Sequence, residues 1–419
     1  MNNLVLLTSH FPYEGGEQFL ESEIKYWKNT GFDNVYIIPC QTKGSCRSYP
    51  KNIKVIKPVY RKHKANYLLL SLFSPIYYKE LLFIKENSHL KHWSENIKSA
   101  LKATAITLRL KETLEDALKS IGGDITVYSY WNDTTFYAAC MLKKKGVIKH
   151  VISRAHGFDI YEERRANSYM PLKRQFAREF DRVYLLSSNA LNYYSDTYGT
   201  DSQYLDVSRL GVDIPLKQPD AKPVKSKVKI LSLSYCLPVK QIDKIMSAVE
   251  AYAKANNQLM VEWTHIGEGT LFESLKSSAK KLDAKYDNLK IDFVGHLPNK
   301  DVKITLEKER FDVFINASKS EGVPVSIMEA MSYGVPPIAP NIGGISDLVN
   351  ESNGKLLPSR FTVTDIIDGI DIIISKDKYQ DQSYRVNAKS WVERYYNSSV
   401  NYPLFVSQVE SIAGLHDPK

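Results

Sequence analysis

Short apolar runs recur along this chain, separated by longer stretches whose apolar residues fall at helical spacing, and that alternation constrains the fold more than any other feature. The runs occupy residues 4–8, 34–39, 125–130, 149–154 and 182–186, then 228–234, 259–266, 290–294, 312–316 and 335–339. Strands that alternate with helices build parallel sheets whose faces the helices cover. Between the two groups, the segment 213–223 carries Pro215, Pro219 and Pro223 and few bulky apolar residues, the composition of a linker. The 419 residues therefore read as two α/β halves dividing near residue 220, a length that exceeds one typical domain. The tail from Ala388 to Gly414 reads as amphipathic helix with a break at Asn401-Tyr402-Pro403.

Hydrophobic residues at 43% and charged residues at 25% suit a globular protein with large cores. No run of 18 apolar residues offers a transmembrane helix. The start, Met1-Asn2-Asn3-Leu4-Val5-Leu6-Leu7, has neither basic residues nor a small-residue cleavage site, so it reads as a first strand and not as a signal peptide. Cys40, Cys46, Cys140 and Cys236 have no metal-ligand spacing; Cys40 and Cys46 are near enough to pair, but a cytoplasmic chain with free thiols is the better reading.

The net charge of +9 is unevenly placed: residues 61–110 hold nine Lys or Arg, from Arg61 to Arg109, against Glu80, Glu86 and Glu95. The same stretch carries Tyr67-Leu68-Leu69-Leu70, Leu72-Phe73, Ile76-Tyr77-Tyr78, Leu81-Leu82-Phe83-Ile84 and Trp93. Basic, aromatic and aliphatic residues together are the composition of a helix lying on an anionic membrane surface. They equally suit an amphipathic helical insertion packed on a sheet with its lysines in water. No motif supports nucleic-acid binding, the third reading of a basic patch.

The segment Ser320-Glu321-Gly322-Val323-Pro324-Val325-Ser326-Ile327-Met328-Glu329-Ala330 follows one apolar run and precedes Gly334-Val335-Pro336-Pro337 and another. It reads as strand, loop, short helix, strand, with the helix starting near Val325. Glu321 then sits in the loop and Glu329 one turn inside the helix. Both carboxylates face a crevice at the carboxyl edge of a parallel sheet, where open α/β folds bind ligands. Gly322 and the first-turn N–H groups form an anion site suited to phosphate. A carboxylate at Glu329 can accept two hydrogen bonds from a ribose diol, and one at Glu321 can bind sugar hydroxyls. A solvated helix face beside a turn has the same spacing.

Two further candidates lie in the first half. His10-Phe11-Pro12-Tyr13-Glu14-Gly15-Gly16-Glu17 follows the first run, and a Gly-Gly pair there lets backbone approach a ligand closely. It is not a GxGxxG fingerprint and no acidic residue follows in the expected place, which disfavours NAD. A plain turn with a helix cap also fits. Ser153-Arg154-Ala155-His156-Gly157-Phe158-Asp159 ends the run 149–154 and puts His156 and Asp159 where chemistry is done; a structural histidine and a helix-capping aspartate are the alternative. Trp131, at the end of Tyr128-Ser129-Tyr130-Trp131, is either an aromatic face for a sugar ring or core.

Taken in order, these segments resemble the family-4 retaining glycosyltransferases, whose signature is E-x7-E. The likeness continues through Gly334-Val335-Pro336 and Asn341-Ile342-Gly343-Gly344-Ile345-Ser346-Asp347. The weaker segments Arg209-Leu210-Gly211-Val212-Asp213, His265-Ile266-Gly267-Glu268-Gly269 and Phe293-Val294-Gly295-His296-Leu297 carry it over most of the chain. The opening His-Phe-Pro-Tyr-x-Gly-Gly-Glu and the Tyr-Ser-Tyr-Trp segment look most like bacterial enzymes of exopolysaccharide, capsule or O-antigen assembly. The resemblance implies an α/β fold of two Rossmann-like domains facing across a cleft, the B-type fold. Residues 1–213 would form the acceptor domain, with the C-terminal helix of 398–419 crossing back to it, and 224–397 the donor domain. It implies that His156, Asp159 and Glu321 are catalytic. Gly15, Gly16, Lys240, Gly267, Gly322, Val323, Pro324 and Glu329 would bind the donor, with Glu17 and Trp131 on the acceptor side. The chain departs from the family where Tyr235 stands in place of an arginine and Ser234 in place of a glycine, which leaves Lys240 as the main cation for the diphosphate.

There is no Asp-x-Asp pair to hold Mg or Mn, which fits an enzyme that steadies its leaving diphosphate with lysine, helix N-termini and amides and needs no metal or cofactor. The implied function is retaining, hexosyl-type transfer from a nucleotide-diphospho-sugar, a UDP-sugar by family frequency, to a glycan or lipid-linked glycan acceptor. The rivals are a nucleotide-sugar 2-epimerase, whose own carboxylate and histidine set is not found here, and a non-catalytic sugar- or membrane-binding protein of the same fold, suggested by Tyr235.

Overall fold

A computed structural model describes residues 1–415 apart from 18, 88–91, 218, 220–223 and 380–381. Lys91 of the basic stretch, much of the proline-rich stretch and residues 416–419 of the tail lie outside the described residues. The chain forms two compact units, Met1–Arg209 with Tyr402–Lys419, and Leu210–Asn401.

The first unit holds β1 (Asn2–Thr8), β2 (Asn34–Pro39), β3 (Ile53–Val55), β4 (Asp124–Ser129), β5 (His150–Ala155), β6 (Arg182–Leu185) and β7 (Leu205–Val207) in the order β3-β2-β1-β4-β5-β6-β7. The second holds β8 (Lys227–Leu233), β9 (Met260–Ile266), β10 (Leu289–Gly295), β11 (Val313–Ile315), β12 (Pro337–Pro340) and β13 (Lys355–Leu357) in the order β10-β9-β8-β11-β12-β13. Neighbouring strands run parallel in both. Chain order reverses between β1 and β4 in one sheet and between β8 and β11 in the other, and such a reversal leaves a crevice at the strands' carboxyl ends.

The apolar runs became strands because both faces of each sheet are covered. In the first sheet Val5, Leu7, Val127 and Val151 face one core, while Leu4, Leu6, Tyr128 and Ile152 face the other. Phe405, Val406 and Val409 of the helix Ser398–Ile412 complete the second of these layers. The expected break at 401–403 is not where the tail bends. The helix Ser383–Tyr395 ends before Asn397, and Pro403 lies inside the next helix. The bend is fixed by backbone pairing: Val212 N–H donates to Tyr396 C=O at 2.8 Å, and Ser398 N–H to Val212 C=O at 3.0 Å. A Cβ on Gly211 would lie 2.5 Å from Ser398 Cα, so only glycine allows this approach.

The basic stretch folds as the helices Lys64–Ser71, Pro75–Glu86 and Trp93–Leu118 between β3 and β4. Leu110, Leu114 and Leu118 enter the main core, and Tyr77, Ile84 and Ala100 form a satellite core with Tyr169. Leu69, Phe73, Leu82 and Trp93 stay exposed, Phe73 at 81%. The stretch is thus a packed insertion that also presents an apolar and basic surface. No single helix among the described residues is long and apolar enough to cross a membrane; the pair Lys64–Ser71 and Pro75–Glu86, bent by 61°, meets that measure only jointly. All four cysteines are free thiols.

Candidate functional site

Each unit gathers its candidate residues where its chain order reverses. In the first, the loop after β1 folds around Glu17, which is 4% exposed and has φ 58. Its Oε1 accepts from Ser9 N–H at 2.8 Å and Trp131 Nε1–H at 2.6 Å, and its Oε2 from His10 and Phe11 N–H, both at 2.8 Å. A carboxylate has about four lone-pair sites, and here all four are used. Glu17, expected on the acceptor side, holds the loop and Trp131 in place. Gly15 and Gly16, at φ 116 and 143, give this loop its shape.

His156 follows β5 directly, beneath Trp131 and Tyr130 at ring-centroid distances of 4.7 Å. It is 8% exposed, and neither ring nitrogen is hydrogen-bonded among the described residues. Asp159 stands 3.8 Å from its Nδ1, too far for a hydrogen bond. Asp159 instead accepts from the backbone N–H groups of His156 and Asn132, tying the β5 loop to the β4 loop. Two unpaired nitrogens on so enclosed an imidazole are unusual, since buried polar atoms are ordinarily satisfied. Sequence reasoning missed Lys173, which is 1% exposed and donates to Asn132 C=O and Asp159 C=O, each at 2.7 Å. Burial lowers its pKa to about 8 against the pull of Asp159 and Asp133. Nothing in its neighbourhood, Met170 to Phe176, marks it, because its partners come from two distant loops. The structure thus brings Glu17, Trp131, His156 and Asp159 together.

In the second unit the helix Val325–Ser332 begins where expected, after Pro324. Glu321 lies in the preceding loop, and its Oε1 accepts from Lys240 Nζ at 2.5 Å, Ser318 Oγ at 2.6 Å and Asn316 Nδ2 at 3.3 Å. Lys240 follows β8 and Glu321 follows β11, so this pair bridges the reversal. Ser318 and Asn316 were not singled out in the sequence, although both belong to the run ahead of Glu321. Gly344 N–H donates to Gly322 C=O at 2.8 Å, and a Cβ on Gly343 would lie 2.0 Å from Glu321 C=O oxygen, so the Gly343-Gly344 turn seats this loop. Glu329 is 7% exposed and accepts from Asn299 Nδ2 at 2.7 Å. Burial raises its carboxyl above the ordinary range, while Asn299 and Lys303 oppose the rise.

Gly267, expected at the donor, sits where the loops after β8 and β9 meet. At φ 143, a Cβ there would lie 1.9 Å from Ser234 C=O oxygen. The glycine lets the loops after β8 and β9 meet, helped by Ser234 N–H to Ile266 C=O at 3.1 Å and Cys236 N–H to Glu268 C=O at 2.9 Å. Val323 is buried and Tyr235 is 55% exposed.

Residues 213–391 match the family model described as "Glycosyl transferases group 1". The match spans less than half of the chain, and these residues are similar to a group 1 glycosyl transferase domain. The chain is also 28% identical over 229 residues to the putative colanic acid biosynthesis glycosyltransferase WcaL of Escherichia coli K12, covering 52% of this chain and 54% of that one. It thus spans about half the length of the curated relatives it matches. Among solved structures, the apo lipopolysaccharide outer core galactosyltransferase WaaB matches at TM-score 0.66 and 16% identity, covering 97% of this chain and 98% of that one. HepE of Anabaena in complex with UDP matches at TM-score 0.67 and 15% identity, covering 98% and 100%. Both place the two parallel-sheet domains in the GT-B glycosyltransferase fold. Within residues 213–391, Lys240 and Glu321 lie in the segments that follow β8 and β11, and Glu329 lies in the helix Val325–Ser332.

Proposed function

We infer that this chain is a retaining, metal-independent glycosyltransferase of bacterial surface polysaccharide assembly. It moves a sugar from a nucleotide-diphospho-sugar to a glycan or lipid-linked glycan. The observation that carries this reading is the Lys240–Glu321 pair across the β8/β11 reversal, within residues similar to a group 1 transferase domain. An arriving diphosphate competes with Glu321 for the Lys240 ammonium, and the carboxylate so released is free to accept from sugar hydroxyls. Glu329, buried and bonded by Asn299 Nδ2 at 2.7 Å, suits a neutral diol such as ribose. UDP is the favoured nucleotide, in line with the UDP complex of HepE.

Residues 1–213 supply the acceptor side. His156 offers two unpaired ring nitrogens to donor-sugar hydroxyls, and Trp131 offers an aromatic face. The acceptor hydroxyl attacks the anomeric carbon as the nucleoside diphosphate departs from the same face, and the leaving phosphate oxygen takes the acceptor proton. No protein nucleophile is needed. Exposed Leu69, Phe73 and Trp93 among lysines suit reversible attachment to an anionic inner-membrane face, where a lipid-linked acceptor resides.

The test is turnover of UDP- and GDP-sugars by the purified chain, with product analysis. Sugar transfer or slow hydrolysis, lost in both Glu321→Ala and Glu329→Ala, is the expected result. Unchanged turnover in both variants removes the site assignment, donor epimerisation without acceptor moves the chain to another class, and donor binding without any turnover makes it a binding protein.

A further inference from the structure

A cavity of about 920 Å³ opens in the first unit between the loop after β2, the insertion helices and the start of the helix Thr134–Lys144. That volume lies at the upper end of the ~300–1,000 Å³ typical of small-molecule sites. The cavity's wall is aliphatic, made by Leu68, Leu101, Ala105, Ile106 and Leu110. Lys43, Lys64, Lys98, Lys102 and Arg109 line it as well. Lys98, Lys102 and Arg109 recur at helical spacing along Trp93–Leu118, so one face of that helix carries both cations and aliphatic groups. Among the described residues none of these five cations is in an ion pair with a carboxylate; Arg109 instead lies 3.8 Å over the Tyr60 ring, and its Nε is buried without a hydrogen-bond partner. The acidic group facing them is Asp133, whose carboxyl burial raises and whose Oδ1 already accepts from Thr135 N–H at 2.9 Å.

Excess positive charge beside an aliphatic wall selects an anionic amphiphile. The wall's Leu68 is continuous along the chain with exposed Leu69, Leu72 and Phe73, so an aliphatic chain can leave the cavity over an apolar surface and not into water. At the inner end, Ser9 and His10 line the cavity and donate their N–H groups to Glu17, which holds Trp131. We propose that this cavity binds the phosphate and proximal chain of a lipid phosphate, the carrier of the acceptor glycan. The identity of that ligand as the acceptor's carrier rests on the transferase reading; the binding site itself does not.

The experiment is calorimetric titration of the full chain with farnesyl phosphate, farnesol and inorganic phosphate, and separately with UDP. The variants are Lys98→Glu with Lys102→Glu, both exposed positions, and Ile106→Asp. Farnesyl phosphate is expected to bind at least tenfold tighter than farnesol and inorganic phosphate. The charge reversal should weaken it at least tenfold and remove its advantage over farnesol, and Ile106→Asp should weaken both farnesyl ligands, with UDP affinity unchanged throughout. Equal binding of farnesol and farnesyl phosphate, farnesyl phosphate binding that neither variant alters, or displacement of farnesyl phosphate by UDP would each overturn the proposal. Farnesyl phosphate binding without any UDP binding would fault the transferase reading and leave this site standing.

Discussion

Replacing Glu17 by glutamine keeps the side chain's shape and halves what it can accept. The native carboxylate takes four N–H donors, from Ser9, His10, Phe11 and Trp131. A glutamine carbonyl serves two, and the remaining two N–H groups meet its NH2 group. Hydrogen bonds to a charged acceptor contribute about 1.5–3 kcal/mol each, so losing two costs about 3–6 kcal/mol. That is a large fraction of a typical ~5–15 kcal/mol stability, so the β1 loop is expected to open locally before the whole unit unfolds. At a factor of ten per about 1.4 kcal/mol, amide exchange at Ser9, His10 and Phe11 should accelerate roughly 10²- to 10⁴-fold. Hydrogen-exchange mass spectrometry on peptides covering residues 8–17 measures it. Glu21→Gln is the control, because Glu21 is half-exposed and pairs with Arg47 at 3.4 Å, a contact worth about 0–1 kcal/mol. Exchange in Glu17→Gln within threefold of wild type, or no faster than in Glu21→Gln, would refute the reasoning.

Three more outcomes are expected. Glu23→Ala strands Arg154, its fully buried partner at 2.6 Å, and should cost about 3–5 kcal/mol by urea denaturation, whereas Glu23→Leu with Arg154→Met should recover most of the loss; equal instability of both would show that the pair is not the cause. Lys173 has a folded pKa of about 8, below its unfolded value, so the unfolded state holds more protons between about pH 8 and 10; stability relative to Lys173→Met should rise with pH across that window, by up to about 3 kcal/mol, and a flat difference would contradict the burial argument. Co-sedimentation with anionic vesicles at low salt should exceed that with neutral vesicles or at high salt and should fall in Leu69→Ser with Phe73→Ser; indifference to salt, lipid charge and the substitutions would remove membrane attachment.

Ten of the strands could be read from the chain, most of them because parallel strands buried on both faces are continuous apolar runs, and the edge strand β10 because its buried and exposed residues alternate. The three that could not, β3, β7 and β13, have three residues each and lie at sheet edges. Covered on one side only, they tolerate Lys54 and Asp206 at their centres, and no period survives in three residues. The tail's bend was misplaced because Pro403 is a strong local signal, yet the pairing of Val212 with Asn397, some 180 residues apart, decides the position.

What the sequence determined alone is everything set by local pattern: the alternation of strand and helix, the helix start at Val325 with Glu329 inside that helix, and the loop positions of His156 and Glu321. These depend on the chemistry of neighbouring residues, which the chain carries wherever it goes. What only the tertiary structure decided is each group's partner. Lys240 meets Glu321 across 81 residues, Trp131 reaches Glu17 across 114, and Lys173 joins two loops through their carbonyls. A side chain's role follows from how many of its lone pairs and protons its surroundings consume. That count spent Glu17 on its own loop, left both nitrogens of His156 unpaired, and set five cations around a cavity, because only the folded chain brings distant donors and acceptors within about 3 Å.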